Sequence, residues 1–184
     1  VSCLNKCDLS LAGIAIAPYL SGLSSLLEDE MELGVVCIDL GADSSSLSIF
    51  FRKNLIFSQS IRIGGKHITS DIMHAFQISF LAAERLKVLH GGLLPTNSDD
   101  RETLELPESN TDLFTDRRTI TKSELLGVIR PRVEEIFDSL RSILDQSDYE
   151  FLPGQKIVLT GGGSKLENIL EFTSTFLDLS LIHI

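Results

Sequence analysis

Three apolar runs separated by short polar breaks dominate residues 35 to 63. The first run is Val35-Val36-Cys37-Ile38, the second is Leu47-Ser48-Ile49-Phe50-Phe51, and the third extends from Leu55 to Ile63. Gly41 interrupts the chain after the first run, and Lys53-Asn54 follows the second. Short apolar runs bounded by turn residues are typical of strands, so the pattern predicts a meander of three strands.

Helical periodicity lies on both sides of this meander. Residues 8 to 17 predict a short strand, and Pro18 then suits the first turn of a helix because its φ is fixed. Gly64-Gly65 closes the meander, and a helical pattern follows with Thr69 near its start. Ser79 predicts the cap of the next helix.

The C-terminal half predicts a long helix and then a strand, a glycine loop and a final helix. Thr121-Lys122-Ser123-Glu124 has the capping-box pattern, and Pro131 predicts a kink or split near the middle of the helix that follows. Lys156 to Thr160 has strand composition and leads into Gly161-Gly162-Gly163-Ser164. The acidic, proline-containing segment from 95 to 116 predicts a mobile or poorly packed excursion.

Charge and cysteine content narrow the function classes. Among 184 residues, 16 Lys and Arg stand against 26 Asp and Glu, a net charge of −10, which disfavours nucleic acid as a partner. No apolar stretch approaches the ~18 residues that span a bilayer. Cys3, Cys7 and Cys37 form no C-x-x-C pair, so the sequence predicts neither a disulfide framework nor a zinc site and fits a reducing cytoplasm.

Two glycine-marked turns are the candidates for chemistry. Gly161-Gly162-Gly163 follows a predicted buried strand, and such a turn lets backbone N–H groups approach a phosphate or nucleoside. A tight strand-to-helix turn explains the same glycines equally well. Asp39, at the end of the first strand, either faces a hydrated cation or bonds backbone amides in a turn.

Together these two turns resemble a known superfamily. Asp39-Leu40-Gly41 and Thr160-Gly161-Gly162-Gly163-Ser164 are similar to the second phosphate motif and the adenosine motif of the actin, sugar-kinase and heat-shock chaperone superfamily. Within it, the chain resembles the bacterial FtsA cell-division family over about residues 8 to 178, and only the last few residues lack a counterpart. The phrases that carry this resemblance are Glu32-Leu33-Gly34-Val35-Val36-Cys37-Ile38-Asp39-Leu40-Gly41, Gly64-Gly65-Lys66-His67-Ile68-Thr69-Ser70-Asp71-Ile72, Ala83-Glu84-Arg85-Leu86-Lys87, Ile129-Arg130-Pro131-Arg132-Val133-Glu134-Glu135-Ile136 and Leu159-Thr160-Gly161-Gly162-Gly163.

The resemblance implies an α/β fold, an actin-like (ribonuclease H-like) ATPase lobe with a mixed sheet flanked by helices. Residues 1–66 and 155–184 would form a larger, 2A-like subdomain, and residues 67–154 a smaller, inserted α/β subdomain of the 2B type. The chain begins with Val1 rather than Met and ends abruptly on an apolar run. We therefore expect it to be part of a larger protein.

The resemblance also implies a nucleotide site with ATP and magnesium as cofactors. Asp39 would approach the magnesium ion through water, and Gly41 would let backbone N–H groups reach the phosphates. Glu84 and Lys87 would reach the ribose and base; they are three residues apart, hence on one helical face, and an ordinary solvated ion pair explains that spacing as well. The adenosine would be lined by Gly161, Gly162, Gly163 and Ser164.

One departure from the family pattern affects the phosphates. Ala42-Asp43-Ser44 stands where the family usually has Gly-Gly-Thr, which adds a methyl group and a carboxylate. A negative charge at ~4 Å from a phosphate costs several kcal/mol at low effective dielectric unless a cation intervenes. The first phosphate motif would lie in the other lobe of an actin-like protein. We therefore expect ATP binding by this chain alone to be weak or absent.

The partner implied by the resemblance is the acidic C-terminal tail of FtsZ. Arg pairs a carboxylate bidentately, and Arg130 and Arg132, which flank Pro131, are the predicted contact. Pairing with Glu134, Glu135 or Asp138 on their own helix explains both arginines nearly as well. The basic residues in this region are Arg117, Arg118, Lys122, Arg130, Arg132 and Arg141.

The expected function is that of a cell-division adaptor that tethers FtsZ filaments to the membrane in the full-length protein. It would act at the cytoplasmic face of the cell membrane at the division site, self-associate into actin-like filaments, and hydrolyse ATP weakly or not at all. Residues 176 to 184 have no basic face, so membrane attachment would come from a segment absent here. The alternatives are a fragment of an ATP-dependent sugar or acetate-type kinase and a pilus-assembly ATP-binding relative.

Overall fold

The computed structural model describes residues 2–96, 99–106, 118–147, 149–150, 156–177 and 181–183. Seven α-helices, one short 3-10 helix (Gly162–Lys165) and seven strands are assigned within these ranges. The helices are α1 (Ser2–Asn5), α2 (Ala17–Ser25), α3 (Glu28–Leu33), α4 (Gly65–Phe76), α5 (Phe80–His90), α6 (Lys122–Gln146) and α7 (Ile169–Leu177). The strands are β1 (Val35–Leu40), β2 (Ser45–Phe51), β3 (Asn54–Ile61), β4 (Thr103–Glu105), β5 (Thr119–Thr121), β6 (Lys156–Thr160) and β7 (Leu181–His183).

A mixed five-stranded sheet in the order β3-β2-β1-β6-β7 forms the centre of the molecule. The meander supplies the antiparallel part, with Asp39 opposite Ser46 across β1 and β2. β6 then pairs parallel to β1, with Asp39 opposite Thr160, and β7 pairs parallel to β6. The carboxyl ends of β1 and β6 therefore meet at one edge of the sheet, where a ligand site is expected in open α/β sheets.

Both faces of the sheet are buried at β1, which explains why β1 is a continuous apolar run. Val36 and Ile38 belong to the larger apolar cluster, whereas Val35 and Cys37 belong to the smaller one. Successive strand residues point to opposite faces, so helices cover both sides. The α6 helix contributes most of the larger cluster's helical residues, namely Leu125, Ile129, Val133, Ile136, Phe137, Leu140, Ile143 and Leu144.

The meander, the helix caps and the strand before the glycine loop are confirmed. Ser79 accepts a hydrogen bond from the Ala82 N–H, and Thr121 and Glu124 form the predicted capping box. The predicted α/β fold with a mixed sheet flanked by helices is likewise present. The subdomain boundaries at 66/67 and 154/155 stay a prediction.

Three expectations about local structure are wrong in whole or in part. Residues 9–16 form no strand, and α6 continues past Pro131 without a split, whereas a kink there stays a prediction. The proline removes one backbone donor, but buried apolar residues on both sides hold the helix against the core. The acidic segment is not wholly an excursion, because β4 lies within it and pairs with β5, which follows the segment, while residues 107–116 lie outside the described ranges.

Candidate functional site

A cavity of about 530 Å³ lies at the carboxyl ends of β1 and β6. The loop after β1, the start of α4, one face of α5 and the glycine loop after β6 form its walls. Five residues predicted for nucleotide binding meet there: Gly41, Glu84, Lys87, Gly162 and Gly163. The predicted residues Asp39, Gly161 and Ser164 are not among its lining and have supporting contacts instead.

The carboxylate of Asp39 is held by the helix on the other side of the sheet. Ser21 Oγ donates a hydrogen bond of 2.6 Å to Asp39 Oδ2. Beside it, Ser25 Oγ donates to Thr160 Oγ1 at 3.0 Å, so α2 contacts the ends of both β1 and β6. The pKa of the neighbouring Cys37 thiol is raised to about 12, mainly by burial and further by the Asp39 charge, and this thiol stays protonated at neutral pH.

Two of the three successive glycines pack against β1, and the middle one faces open space. Gly161 has φ +84°, and a Cβ atom there would lie 2.7 Å from the Leu40 carbonyl oxygen. A Cβ on Gly163 would lie 2.8 Å from Leu40 Cβ, whereas one on Gly162 would meet nothing within 4 Å. Ser164, which is buried, donates from Oγ to the Gly161 carbonyl at 2.8 Å and closes the loop.

The loop after β1 is joined to the start of α4 through the backbone. The N–H of Gly65 donates to the Gly41 carbonyl at 2.9 Å, and the N–H of Lys66 donates to the Ala42 carbonyl at 2.8 Å. A Cβ on Gly64 would lie 2.6 Å from the Gly41 oxygen, so only glycine allows this approach. The first two amides of α4 are therefore already engaged.

A polar cluster forms the α5 wall of the cavity. Lys87 Nζ, with a side chain only 12% exposed, donates to Glu84 Oε2 at 2.7 Å, to Thr69 Oγ1 at 2.8 Å and to the Gly65 carbonyl at 3.0 Å. The Thr69 hydroxyl also contacts Glu84. Partial burial acts to raise the pKa of Glu84, but hydrogen bonds from Lys87 and Thr69 outweigh it and hold that pKa below its usual value.

Glu84 gives the chain a testable pH dependence. A carboxyl group with a lowered pKa stabilises the fold fully above its ordinary value of 4.5, and this contribution is lost as the pH falls through the folded-state pKa. Wild type is therefore expected to exceed Glu84→Gln in free energy of unfolding at pH 7, and the difference should shrink below about pH 4. Urea unfolding followed by circular dichroism at both pH values measures this; a difference that grows on acidification would contradict it.

Sequence reasoning missed several residues of the cavity. Phe80 and Val88 fall on the same face of α5 as Glu84 and Lys87, so the helical period could have found them. Lys66 carried no periodic signal, because its place follows from the pairing of α4 with the loop after β1. The missed lining residues include Gly65, Lys66, Ile68, Phe80, Lys165 and Leu166.

The two arginines predicted to bind a partner both have acidic neighbours in the fold. Arg130 Nε donates to Glu134 at 2.8 Å on the outside of α6. Arg132 makes a two-pronged contact with Asp71 of α4, at 2.7 and 3.0 Å, and also pairs with Glu135. Arg132 therefore joins α4 to α6, and its pKa is raised first by the Asp71 hydrogen bonds.

Other members of the predicted basic region are engaged within the chain. Arg118 donates to the Phe76 carbonyl at 3.0 Å, and Arg141 donates to the Phe176 carbonyl at 3.3 Å. Lys122, 16% exposed, lies 3.2 Å from Glu167 and 3.8 Å from Asp99. Arg117 lies outside the described residues.

Comparison with known families places the chain with bacterial cell-division proteins. The family model described as "Cell division protein FtsA" matches residues 36–182, so the family pattern extends into β7, four residues beyond the expected end at about residue 178. FtsA of Rhizobium meliloti is 34% identical over 169 residues, covering 92% of this chain and 38% of that protein. FtsA of Pseudomonas aeruginosa is 33% identical over 171 residues, covering 92% and 40%. The chain thus spans about two fifths of these relatives.

Solved structures share the fold at low sequence identity. MreB5 of Spiroplasma citri bound to ADP superposes with a TM-score of 0.80 at 19% identity, covering 99% of this chain and 58% of that one. The PilM–PilN type IV pilus biogenesis complex gives 0.68 at 21% identity, covering 98% and 45%. These likenesses establish an actin-like architecture.

Proposed function

The chain belongs to the FtsA family of cell-division proteins, and from that premise we propose that it is the ATP-binding part of an adaptor that tethers FtsZ filaments to the membrane. The observation that carries the nucleotide proposal is the cavity, which brings Gly41, Glu84 and Lys87 to the same place as Gly162 and Gly163. Phosphate-binding loops and adenosine-binding turns meet at this edge in folds of this kind.

The donors around the cavity fit a nucleotide. Three ammonium groups, on Lys66, Lys87 and Lys165, line it against the single carboxylate of Glu84, in a chain whose net charge is −10. Phe80 and Val88 supply an apolar wall suited to a base. Gly162 leaves open space where a side chain would intrude.

Magnesium would be held chiefly by the nucleotide and water. Within the described ranges, no group of three or more His, Cys, Asp or Glu is placed to hold a metal ion. Mg²⁺ keeps several waters and commonly uses one or two carboxylates plus phosphate oxygens. We propose Asp39 for this carboxylate, acting through water because it does not itself line the cavity, and Ser21 Oγ donates to its Oδ2 atom.

Titration of the purified chain with ATP, with and without Mg²⁺, tests this proposal. We expect saturable but weak binding, with a dissociation constant between about 10 μM and 1 mM, that weakens when EDTA removes Mg²⁺. Circular dichroism establishes that the chain is folded. A folded chain that shows no saturation with ATP would contradict the nucleotide proposal.

We propose further that ATP serves assembly rather than catalysis, with hydrolysis weak or absent, and that the full-length protein forms actin-like filaments. It would act at the cytoplasmic face of the cell membrane at the division site, attached through another part of the protein. No helix among the described residues has the length and apolarity needed to cross a membrane. Family membership favours this adaptor over the kinase fragment and the pilus-assembly relative.

The contact with the acidic FtsZ tail is proposed at Arg130 and Arg132, and the two arginines differ in how freely they can exchange partners. The Arg130–Glu134 pair is exposed, and such pairs contribute little, so a tail carboxylate can replace Glu134. Arg132 would have to break its salt bridge with Asp71 before it could bind a tail carboxylate. Arg130 is therefore the more available of the two.

Arg130→Gln is expected to weaken binding of an FtsZ tail peptide about threefold to tenfold without changing the thermal unfolding temperature. Arg132→Gln should weaken binding and also destabilise the fold, because Asp71 is left partly buried without its partner. Fluorescence anisotropy of a labelled peptide measures binding. Arg52→Gln, at the β2–β3 turn, is the control; equal binding by Arg130→Gln and Arg52→Gln would remove Arg130 from the contact.

A further inference from the structure

Asp43, the residue that departs from the family pattern, forms an ion pair at the rim of the cavity. Its Oδ2 atom lies 2.8 Å from Lys66 Nζ. Lys66 lines the cavity, and the two side chains are 53% and 73% exposed for Lys66 and Asp43 respectively. The carboxylate thus holds a cavity ammonium group rather than standing alone beside the site.

Two other sets of donors near the loop after β1, the first amides of α4 and the Lys87 ammonium group, are already engaged. The first two amides of α4 donate to the Gly41 and Ala42 carbonyls. Lys87 donates to three acceptors, which accounts for all the protons of its ammonium group. Lys165 belongs to the turn after β6, on the other side of the cavity. Lys66 is therefore the cation placed to meet a phosphate group beside Gly41.

We infer that Lys66 is the principal phosphate-binding side chain of this cavity and that Asp43 competes with polyphosphate for it, lowering the affinity of the chain for nucleotides. The inference rests on the proposed nucleotide binding. An exposed ion pair is easily exchanged, and a nucleotide polyphosphate carries more charge than one carboxylate. Removing the Asp43 charge frees Lys66 before the ligand arrives.

The test measures the binding of ATP, ADP and adenosine to wild type, to three single variants and to the double variant that combines Asp43→Asn with Lys66→Gln. Asp43→Asn is expected to tighten ATP and ADP binding about threefold to tenfold, and Lys66→Gln to weaken both by a similar factor. Adenosine, which has no phosphate, should bind all variants equally. Both effects should shrink at about 0.5 M salt, because exposed charges are screened.

Glu28→Gln provides a matched control. Glu28 pairs with Lys53 at the same 2.8 Å, and the two side chains are 79% and 53% exposed. This pair joins α3 to the β2–β3 turn, at the end of β1 away from the cavity. The substitution removes an equivalent exposed carboxylate and should leave nucleotide affinity unchanged.

Three results would overturn the inference, and they are distinguishable. If ATP binds Lys66→Gln as tightly as wild type, Lys66 is not the phosphate contact although the nucleotide proposal stands. If Asp43→Asn raises ATP affinity by the same factor in the wild-type and Lys66→Gln backgrounds, Asp43 acts by direct repulsion of the phosphates. The proposed competition for Lys66 would then be wrong. If the folded wild-type chain binds neither ATP nor adenosine, the proposed nucleotide function fails and the inference with it.

Discussion

Replacing Gly162 by Leu is expected to reduce ATP affinity at least tenfold while leaving the free energy of unfolding within about 1 kcal/mol of wild type. A Cβ at this position meets no atom within 4 Å, and Gly162 lines the cavity. A leucine side chain would therefore occupy space in which we place the nucleotide without disturbing the core. Calorimetric titration with ATP and urea unfolding of the same preparations measure the two quantities.

Gly161→Ala is the matched variant, because it alters the adjacent glycine. It should lower the free energy of unfolding, which Gly162→Leu should leave nearly unchanged. Its φ of +84° is strained for any other residue, and a Cβ would lie 2.7 Å from the Leu40 carbonyl oxygen and also contact Asp39. We expect a loss of about 2–4 kcal/mol in unfolding free energy. Unchanged ATP affinity in a folded Gly162→Leu protein would place the nucleotide elsewhere, and a fully stable Gly161→Ala would contradict the strain argument.

Local signals made the central sheet and the helix starts predictable. The apolar run of β1 indicates burial on both faces of the sheet. Val35 and Val36, which point to opposite faces, are indeed buried in two different apolar clusters. The caps at Ser79 and Thr121 depend on residues within one turn, so the sequence alone determines them. The spacing of Glu84 and Lys87 placed both on one face, and they do share the cavity wall.

Long-range pairing accounts for what the sequence did not reveal. β4 and β5 are short and lie far apart in the chain, so neither has a periodic pattern of its own. β7 is a strand because β6 offers it an edge. Likewise, the spacing of Glu84 and Lys87 was compatible with a nucleotide contact or with a solvated ion pair, and only the fold brings Thr69 and the Gly65 carbonyl to the Lys87 ammonium group.

Phe137→Ala is expected to cost about 3–5 kcal/mol of unfolding free energy, because the ring is fully buried between α6 and α7. It packs edge-on against Phe172, with ring centroids 5.7 Å apart, and lies 6.1 Å from Phe176. Truncation would leave a cavity between α6 and α7 that neither helix can move far enough to fill. For a chain of this length the loss corresponds to a fall of roughly 10 °C in the midpoint of thermal unfolding.

Phe80→Ala is the control that separates the core from the site. Phe80 is 44% exposed and lines the cavity, so truncation removes few buried contacts but takes away part of the apolar wall. We expect a stability loss of about 1 kcal/mol or less together with weaker binding of adenosine and ATP alike. Thermal unfolding followed by circular dichroism and adenosine titration provide both readouts. A Phe137→Ala protein as stable as Phe80→Ala would contradict the stability that we assign to the buried ring contacts between α6 and α7.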